Sequence, residues 1–177
     1  MLYKWNMKDR RTDKMTSIVI NKKYSIHSTK MEVAPIGYVY IFDIDGTIAD
    51  ITHRVHYLES KPKNWDMFFG TVIDDKPKNW VIDIMRLLPP ERVLLFSGRT
   101  DSSAEDTIAW LEKYDVPYAE MRMRWHHNFE SDEILKLRMV KEYKDRVRFI
   151  VDDRQRVVDM WRLNGFNVLQ ADKWKDK

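Results

Sequence analysis

The sequence contains no cysteine. That excludes a disulfide framework, a thiol nucleophile and every cysteine-ligated metal site. Glycine is scarce, at 5 of 177 residues, and the five are too scattered to make a G-x-x-x-x-G-K-[ST] phosphate loop. No apolar run approaches the roughly 18 residues of a membrane span. The N-terminus is basic but lacks the apolar core of a secretory signal. Internal repeats and low-complexity tracts are absent too. These absences lead us to expect a soluble, cytoplasmic protein with no membrane partner.

What is present suits one domain with a real core. Apolar residues make up 44% and charged residues 33% of the chain, which is ordinary for a globular protein. The charge is unevenly placed. Residues 1–35 hold eight Lys/Arg and three Asp/Glu, a net of +5, whereas residues 36–177 hold twenty-three and twenty-five, a net of −2. With Pro35 and Gly37 punctuating the border, we read 1–35 as a basic extension and 36–177 as the main domain. A basic arm attracts nucleic acid; it also occurs as a solvated tail. Within it, Ser17–Ile20 and Lys23–Ile26 around Asn21-Lys22 have the pattern of a hairpin.

From Tyr38 the pattern becomes regular. Tyr38–Phe42, Val93–Phe96 and Phe149–Val151 are short apolar runs, each ending in a polar residue. Such runs suit strands buried on both faces of a parallel sheet. Tyr118–Met123 and Asn167–Gln170 are further strand candidates. Helical patterns lie between them, over Lys78–Leu88, Ser102–Tyr114, Asp132–Tyr143 and Arg154–Leu163. The alternation predicts an α/β fold with helices on both faces of the sheet. Ligands of such sheets bind beyond the carboxyl ends of the strands, where Asp43, Ser97 and Asp152 fall.

Four motifs occupy those ends. In Asp43-Ile44-Asp45-Gly46-Thr47, strand alternation sends Asp43 and Asp45 the same way, and two crowded carboxylates call for a cation or a shared proton. Ser97-Gly98-Arg99 offers a hydroxyl, close backbone approach and a guanidinium matched to phosphate. Asp132 and Lys136 stand at i and i+4, which alone would be a surface pair contributing about 0.2–0.5 kcal/mol. Asp152-Asp153-Arg154 puts two acids at the end of a buried strand, a costly arrangement without a positive partner. Mg²⁺, which takes carboxylate, phosphate and water oxygens, fits.

In this order the four motifs resemble the haloacid dehalogenase (HAD) superfamily of aspartate-nucleophile phosphatases, over roughly residues 38–170. The 3′-phosphatase domain of bacteriophage-type polynucleotide kinase/phosphatase is a closer likeness. It is similar in the aspartate loop, in an arginine eleven residues after the first Asp (Arg54), in Ser97-Gly98-Arg99, Val116-Pro117-Tyr118 and Met123-Arg124, and in Val151–Arg154 with Val157–Arg162. The resemblance implies a Rossmann-like HAD fold: a central parallel sheet, helices on both faces, and a small lid only. It implies Asp43 as nucleophile and Asp45 as general acid and then base. Mg²⁺ would sit on the Asp43 carboxylate, the Asp45 carbonyl, Asp153 and, less directly, Asp152. Thr47, Ser97, Gly98 and Lys136 would hold phosphoryl oxygens, Asp132 would orient Lys136, and Arg54, Arg99 and Arg124 would face the substrate.

The implied substrate is a nucleic-acid 3′ end. A mononucleotide fits the same motifs, as would a silent phosphate- or nucleic-acid-binding module, although the intact acids and lysine weigh against the last. His53, His56, His126 and His127 lack the spacing of a zinc site. Trp65, Phe68 and Phe69 read either as a lid that stacks on a base or as a hydrophobic cluster under a loop.

Overall fold

The structure, a computed structural model, describes residues 3–4, 16–29, 31–59 and 61–174. Among the described residues ten strands are formed: β1 (Tyr3–Lys4), β2 (Thr16–Ile20), β3 (Tyr24–Ser28), β4 (Val39–Phe42), β5 (Ala49–Asp50), β6 (Lys76–Pro77), β7 (Val93–Thr100), β8 (Glu120–Arg124), β9 (Val147–Arg154) and β10 (Val168–Trp174). Five α-helices accompany them: α1 (Trp65–Gly70), α2 (Asn79–Arg86), α3 (Ala104–Lys113), α4 (Asp132–Val140) and α5 (Gln155–Leu163). Eight strands make one sheet in the order β1-β2-β3-β8-β7-β4-β9-β10. From β8 to β10 the neighbours run parallel; β1, β2 and β3 extend the β8 edge antiparallel.

Alternation along the buried strands builds two cores. Ile41, Leu94, Phe96 and Ile150 pack with Leu135 and Met139 of α4 and with Val157 and Trp161 of α5. Their neighbours Phe42, Leu95 and Val151 pack on the other face with Val81, Ile82 and Met85 of α2 and with Trp110 and Leu111 of α3. A strand with a core on each side must be apolar throughout, which is why these segments read as continuous runs.

The chain leaves β4, passes through α2 to β7 on one side, and later returns through α4 to β9 on the other. Connections from β4 and β9 therefore diverge to opposite faces and open a crevice at their carboxyl ends. Residues 51–75 cover part of that crevice: a 3-10 segment Thr52–Leu58, then α1, then Val72–Asp74. The antiparallel pair β5–β6 closes the base of this small lid. Asn64 caps α1, its side-chain oxygen accepting from the Met67 N–H at 3.1 Å.

The hairpin pattern in the basic extension corresponds to β2 and β3. Asn21 and Lys22 turn the chain with φ of 47° and 54°, and β3 pairs with β8 from Tyr24↔Arg124 to Ser28↔Glu120. The border drawn after residue 35 by charge thus does not coincide with the edge of the sheet. Charge reports solvent exposure, whereas β3 follows the sheet, with Tyr24 buried on one face and Ser25 and His27 on the other. Lys8, Arg10, Arg11, Lys14 and Lys30, which carry much of the arm's charge, lie outside the described residues.

Candidate active site

The loop after β4 holds the first pair of acids. The Asp43 N–H still bonds the Val151 carbonyl at 2.9 Å, so the strand delivers Asp43 to the mouth of the crevice beside β9. The chain then turns on Ile44, whose carbonyl accepts from the N–H groups of Thr47, Ile48 and Ala49. Gly46 has φ +80°, and a Cβ there would stand 2.1 Å from Asp153 Oδ2. Only glycine lets the loop take this turn while lying against the Asp153 carboxylate.

Asp43, Asp152 and Asp153 converge. Each offers a carboxylate oxygen, and these oxygens lie within 4.8 Å of one another. Lys136 of α4 enters between two of them, donating to Asp43 Oδ1 at 2.8 Å and Asp152 Oδ2 at 2.7 Å. Thr47 Oγ1 donates to Asp153 at 3.4 Å and Trp161 Nε1 to Asp152 at 3.3 Å. All three acids and Lys136 are buried. Burial pushes the Asp43 carboxyl well above its usual range, with Asp152 and Asp153 adding to the effect against Lys136. Burial and then Asp152 push Asp153 up to about 6, opposed by Lys136 and Arg154. Burial disfavours the charged Lys136, but Asp152, Asp43 and Asp132 outweigh it and hold the ammonium firmly protonated. Three crowded acids against one lysine leave the group short of positive charge. An all-oxygen donor set with that deficit fits Mg²⁺.

Asp45 lies outside this group and faces a different partner set. Arg54 Nη2 donates to Asp45 Oδ1 at 2.6 Å and Arg99 Nε at 2.8 Å. Burial works against the Asp45 charge, yet Arg99 and Arg54 prevail and hold its carboxyl down at about 2. Its side chain thus takes no part in the metal-type cluster. The two arginines were expected to face substrate; the structure instead turns them inward. Both are fully buried, and both are bound on their other side to Asp75. Asp75 accepts from Arg54 Nε at 2.6 Å, Arg54 Nη2 at 2.7 Å, Arg99 Nη2 at 2.5 Å and the His53 ring at 2.9 Å. Arg54 also lies 4.3 Å over the Phe68 ring and donates to the Phe68 carbonyl, which ties the lid to the acids. Sequence reasoning missed Asp75, because in Asp74-Asp75-Lys76 nothing separates a buried acid from a surface one.

Gly98, Arg124 and Asp132 form the opposite wall, with Ser97 buried behind it. Ser97 Oγ accepts from the Arg99 N–H at 3.1 Å, fixing the turn after β7. A Cβ on Gly98 would meet Asp132 Oδ1 at 2.8 Å, so this glycine allows the α4 N-terminus to close in. Asp132 was expected to orient Lys136. Its carboxylate instead bonds Arg124 and Arg154, and reaches Lys136 through charge. Arg124 donates as well to the carbonyls of Gly98, Asn128 and Glu130, so it fastens the wall together. Arg154 is the cation that sequence reasoning did not select, although it closes the Asp-Asp-Arg motif; it lines the crevice.

The crevice encloses about 740 Å³ and has Asp43, Asp45 and Lys136 at its floor. Of the lid aromatics, Phe68 belongs to the core, Trp65 stacks on Phe69 with centroids 5.8 Å apart, and all three line the cleft. His53 pairs with Asp75 and His126 with Asp101; among the described residues no histidine joins a candidate metal group. No helix among the described residues is long and apolar enough to cross a membrane.

Comparison with solved structures finds the same fold. A chain in the structure of a Pnkp1/Rnl/Hen1 complex matches with a TM-score of 0.67 at 27% identity, over 81% of this chain and 48% of the other. A chain of the Pnkp1/Rnl/Hen1 RNA repair complex matches at 0.66 and 27%, over 80% and 44%. The protein thus spans about half the length of these relatives. A HAD-like phosphatase from Mesorhizobium loti shares the fold at a TM-score of 0.55 and 12% identity, over 84% of this chain and 78% of the other. Residues 38–174 match the family model of the polynucleotide kinase PNKP phosphatase domain. With its parallel sheet, its small lid and three-quarters of its length inside that match, the chain belongs to the PNKP phosphatase-domain family of HAD phosphatases.

Proposed function

We propose that the protein is a Mg²⁺-dependent phosphomonoesterase that works through an aspartyl-phosphate and removes 3′-phosphates from nucleic-acid ends. The observation that carries the reading is the buried Asp43, held at 2.8 Å by Lys136 inside a three-carboxylate group. Asp43, Asp153, Asp152 and the Asp45 carbonyl would hold Mg²⁺. When bound, the ion offsets the repulsion between a phosphate and the nucleophilic carboxylate.

The remaining steps belong to the side chains. Lys136 fixes the Asp43 carboxylate and neutralises part of the local charge. An Asp43 oxygen attacks phosphorus, the ester P–O bond breaks, and a proton passes from Asp45 to the leaving oxygen. Asp45 is then a carboxylate, the state that Arg54 and Arg99 favour. It takes a proton from water as the water oxygen attacks phosphorus, the Asp43–phosphorus bond breaks and phosphate leaves. Asp45 thus ends the cycle with the proton it began with. The arriving phosphate dianion raises the proton affinity of Asp45, so its acid role belongs to the occupied site.

The nucleic-acid substrate is supported by the family and by relatives whose described assembly is an RNA repair complex. The open crevice also admits a mononucleotide. A phosphate-release assay comparing a 3′-phosphorylated oligonucleotide with 3′- and 5′-mononucleotides, with and without Mg²⁺, decides between them. Highest kcat/KM on the oligonucleotide, with loss in EDTA, is expected. A preference for 5′-mononucleotides would overturn the end-processing reading.

A further inference from the structure

Phe129 is 91% exposed and lines the same crevice as Asp43. A lone exposed apolar residue is ordinary, but this one is held on both sides. Asn128 and Glu130, its neighbours, are fixed to each other by the Glu130 N–H to Asn128 Oδ1 bond at 2.9 Å. Arg124 Nη1 donates to both their carbonyls, at 3.1 and 2.6 Å. The turn of the β2–β3 hairpin supports the loop from below: the Lys23 carbonyl accepts from Trp125 N–H at 3.2 Å and Asn128 Nδ2 at 2.8 Å, and Lys23 Nζ pairs with Glu130 at 3.0 Å. Residue 23 precedes the family match, so this support comes from outside the matched residues.

We propose that Phe129 is a preset stacking surface for the nucleobase adjoining the phosphate that enters at Asp43. The inference rests on the phosphatase reading for what lies at the crevice floor. A phosphate bound beside Asp43 and Lys136 leaves its nucleoside to the rim, where an aromatic side chain on an already braced loop meets a base without ordering that loop. Stacking of this kind tolerates any base, because every base offers a π-face. Sequence-independent handling of ends follows.

The test uses a dinucleotide 3′-phosphate and the same molecule with the terminal base replaced by hydrogen. Equilibrium binding is measured by calorimetry on the full chain carrying Asp43→Asn, with and without Phe129→Ala. Truncation should weaken binding of the base-bearing probe about tenfold, leave the base-free probe within twofold, and be rescued by Phe129→Trp. An equal loss on both probes, or none on either, would overturn the proposal, as would a failed tryptophan rescue. Phosphate release from the base-free probe by the unsubstituted protein reports on the phosphatase reading separately. If it is absent while base-dependent binding persists, the chemistry fails and the stacking surface stands.

Discussion

Asp75 shows how much a single buried carboxylate can hold in this protein. Its two oxygens accept from Arg54, Arg99 and His53, and its carbonyl accepts from the Trp110 indole at 2.7 Å. The two guanidiniums then meet at Asp45, so Asp75 acts on the site as a positioning residue through them. Removing its charge would leave two buried cations sharing one acid, and breaking such buried sets is costly where replacing them whole is not. We expect Asp75→Ala to lower unfolding free energy by about 3–5 kcal/mol in urea titration, and Asp75→Asn, which folds better, to lower kcat more than it raises KM. Wild-type stability and kcat in both variants would show that Arg54 and Arg99 hold Asp45 unaided. The residues of the acid cluster were legible because their chemistry clusters in short motifs. The roles of Arg54, Arg99 and Asp132 were not, because direction of approach is a tertiary fact: an arginine beside a phosphate motif looks the same in sequence whether its fork faces substrate or an internal carboxylate.

Among the elements, β4, β7 and β9 were readable from their apolar runs, since burial on both faces leaves no room for polar residues, whereas the two-residue strands β5 and β6 carry no such run. β8 was harder. It carries Glu120 and Arg122, yet Arg122 is fully buried among the rings of Tyr24, Phe96 and Tyr143 and bonded to Glu120 at 2.6 Å. The lid helix α1 follows a proline-containing turn and presents only six residues, too few for a helical period to register. The β2–β3 hairpin was visible in its alternation, but its docking on β8 was not. That docking has a pH signature. His27 of β3 is buried and bonded to Ser25 at 2.9 Å. Burial, opposed by Asp101, brings its imidazole down to about 4. The unfolded chain therefore binds the proton more readily than the folded one between about 6.5 and 4, and stability falls as pH drops through that window. The loss should reach about 3 kcal/mol at its lower end. Urea unfolding of His27→Gln against wild type across pH 4–7 checks this: the variant should lose part of the slope, and parallel curves would contradict it.

At the scale of the whole molecule, one crevice collects residues from loops after four strands, and the fold's divergent connections at β4 and β9 explain why they meet there. The acids gathered at its floor destabilise the folded state while uncompensated, so a cation that binds there should stabilise it by mass action. We expect millimolar Mg²⁺ to raise Tm in a thermal scan and Asp153→Asn to abolish the rise. An equal rise in the variant would place the ion elsewhere.

The central claim is that Asp43 forms the bond to phosphorus. Asparagine is nearly isosteric but is neither a nucleophile nor a good Mg²⁺ ligand. The direct measurement is phosphate release from a 3′-phosphorylated oligonucleotide by Asp43→Asn in Mg²⁺, with thermal unfolding recorded on the same sample. The account predicts no measurable turnover from a protein that unfolds as cooperatively as wild type. Turnover within tenfold of wild type would contradict it.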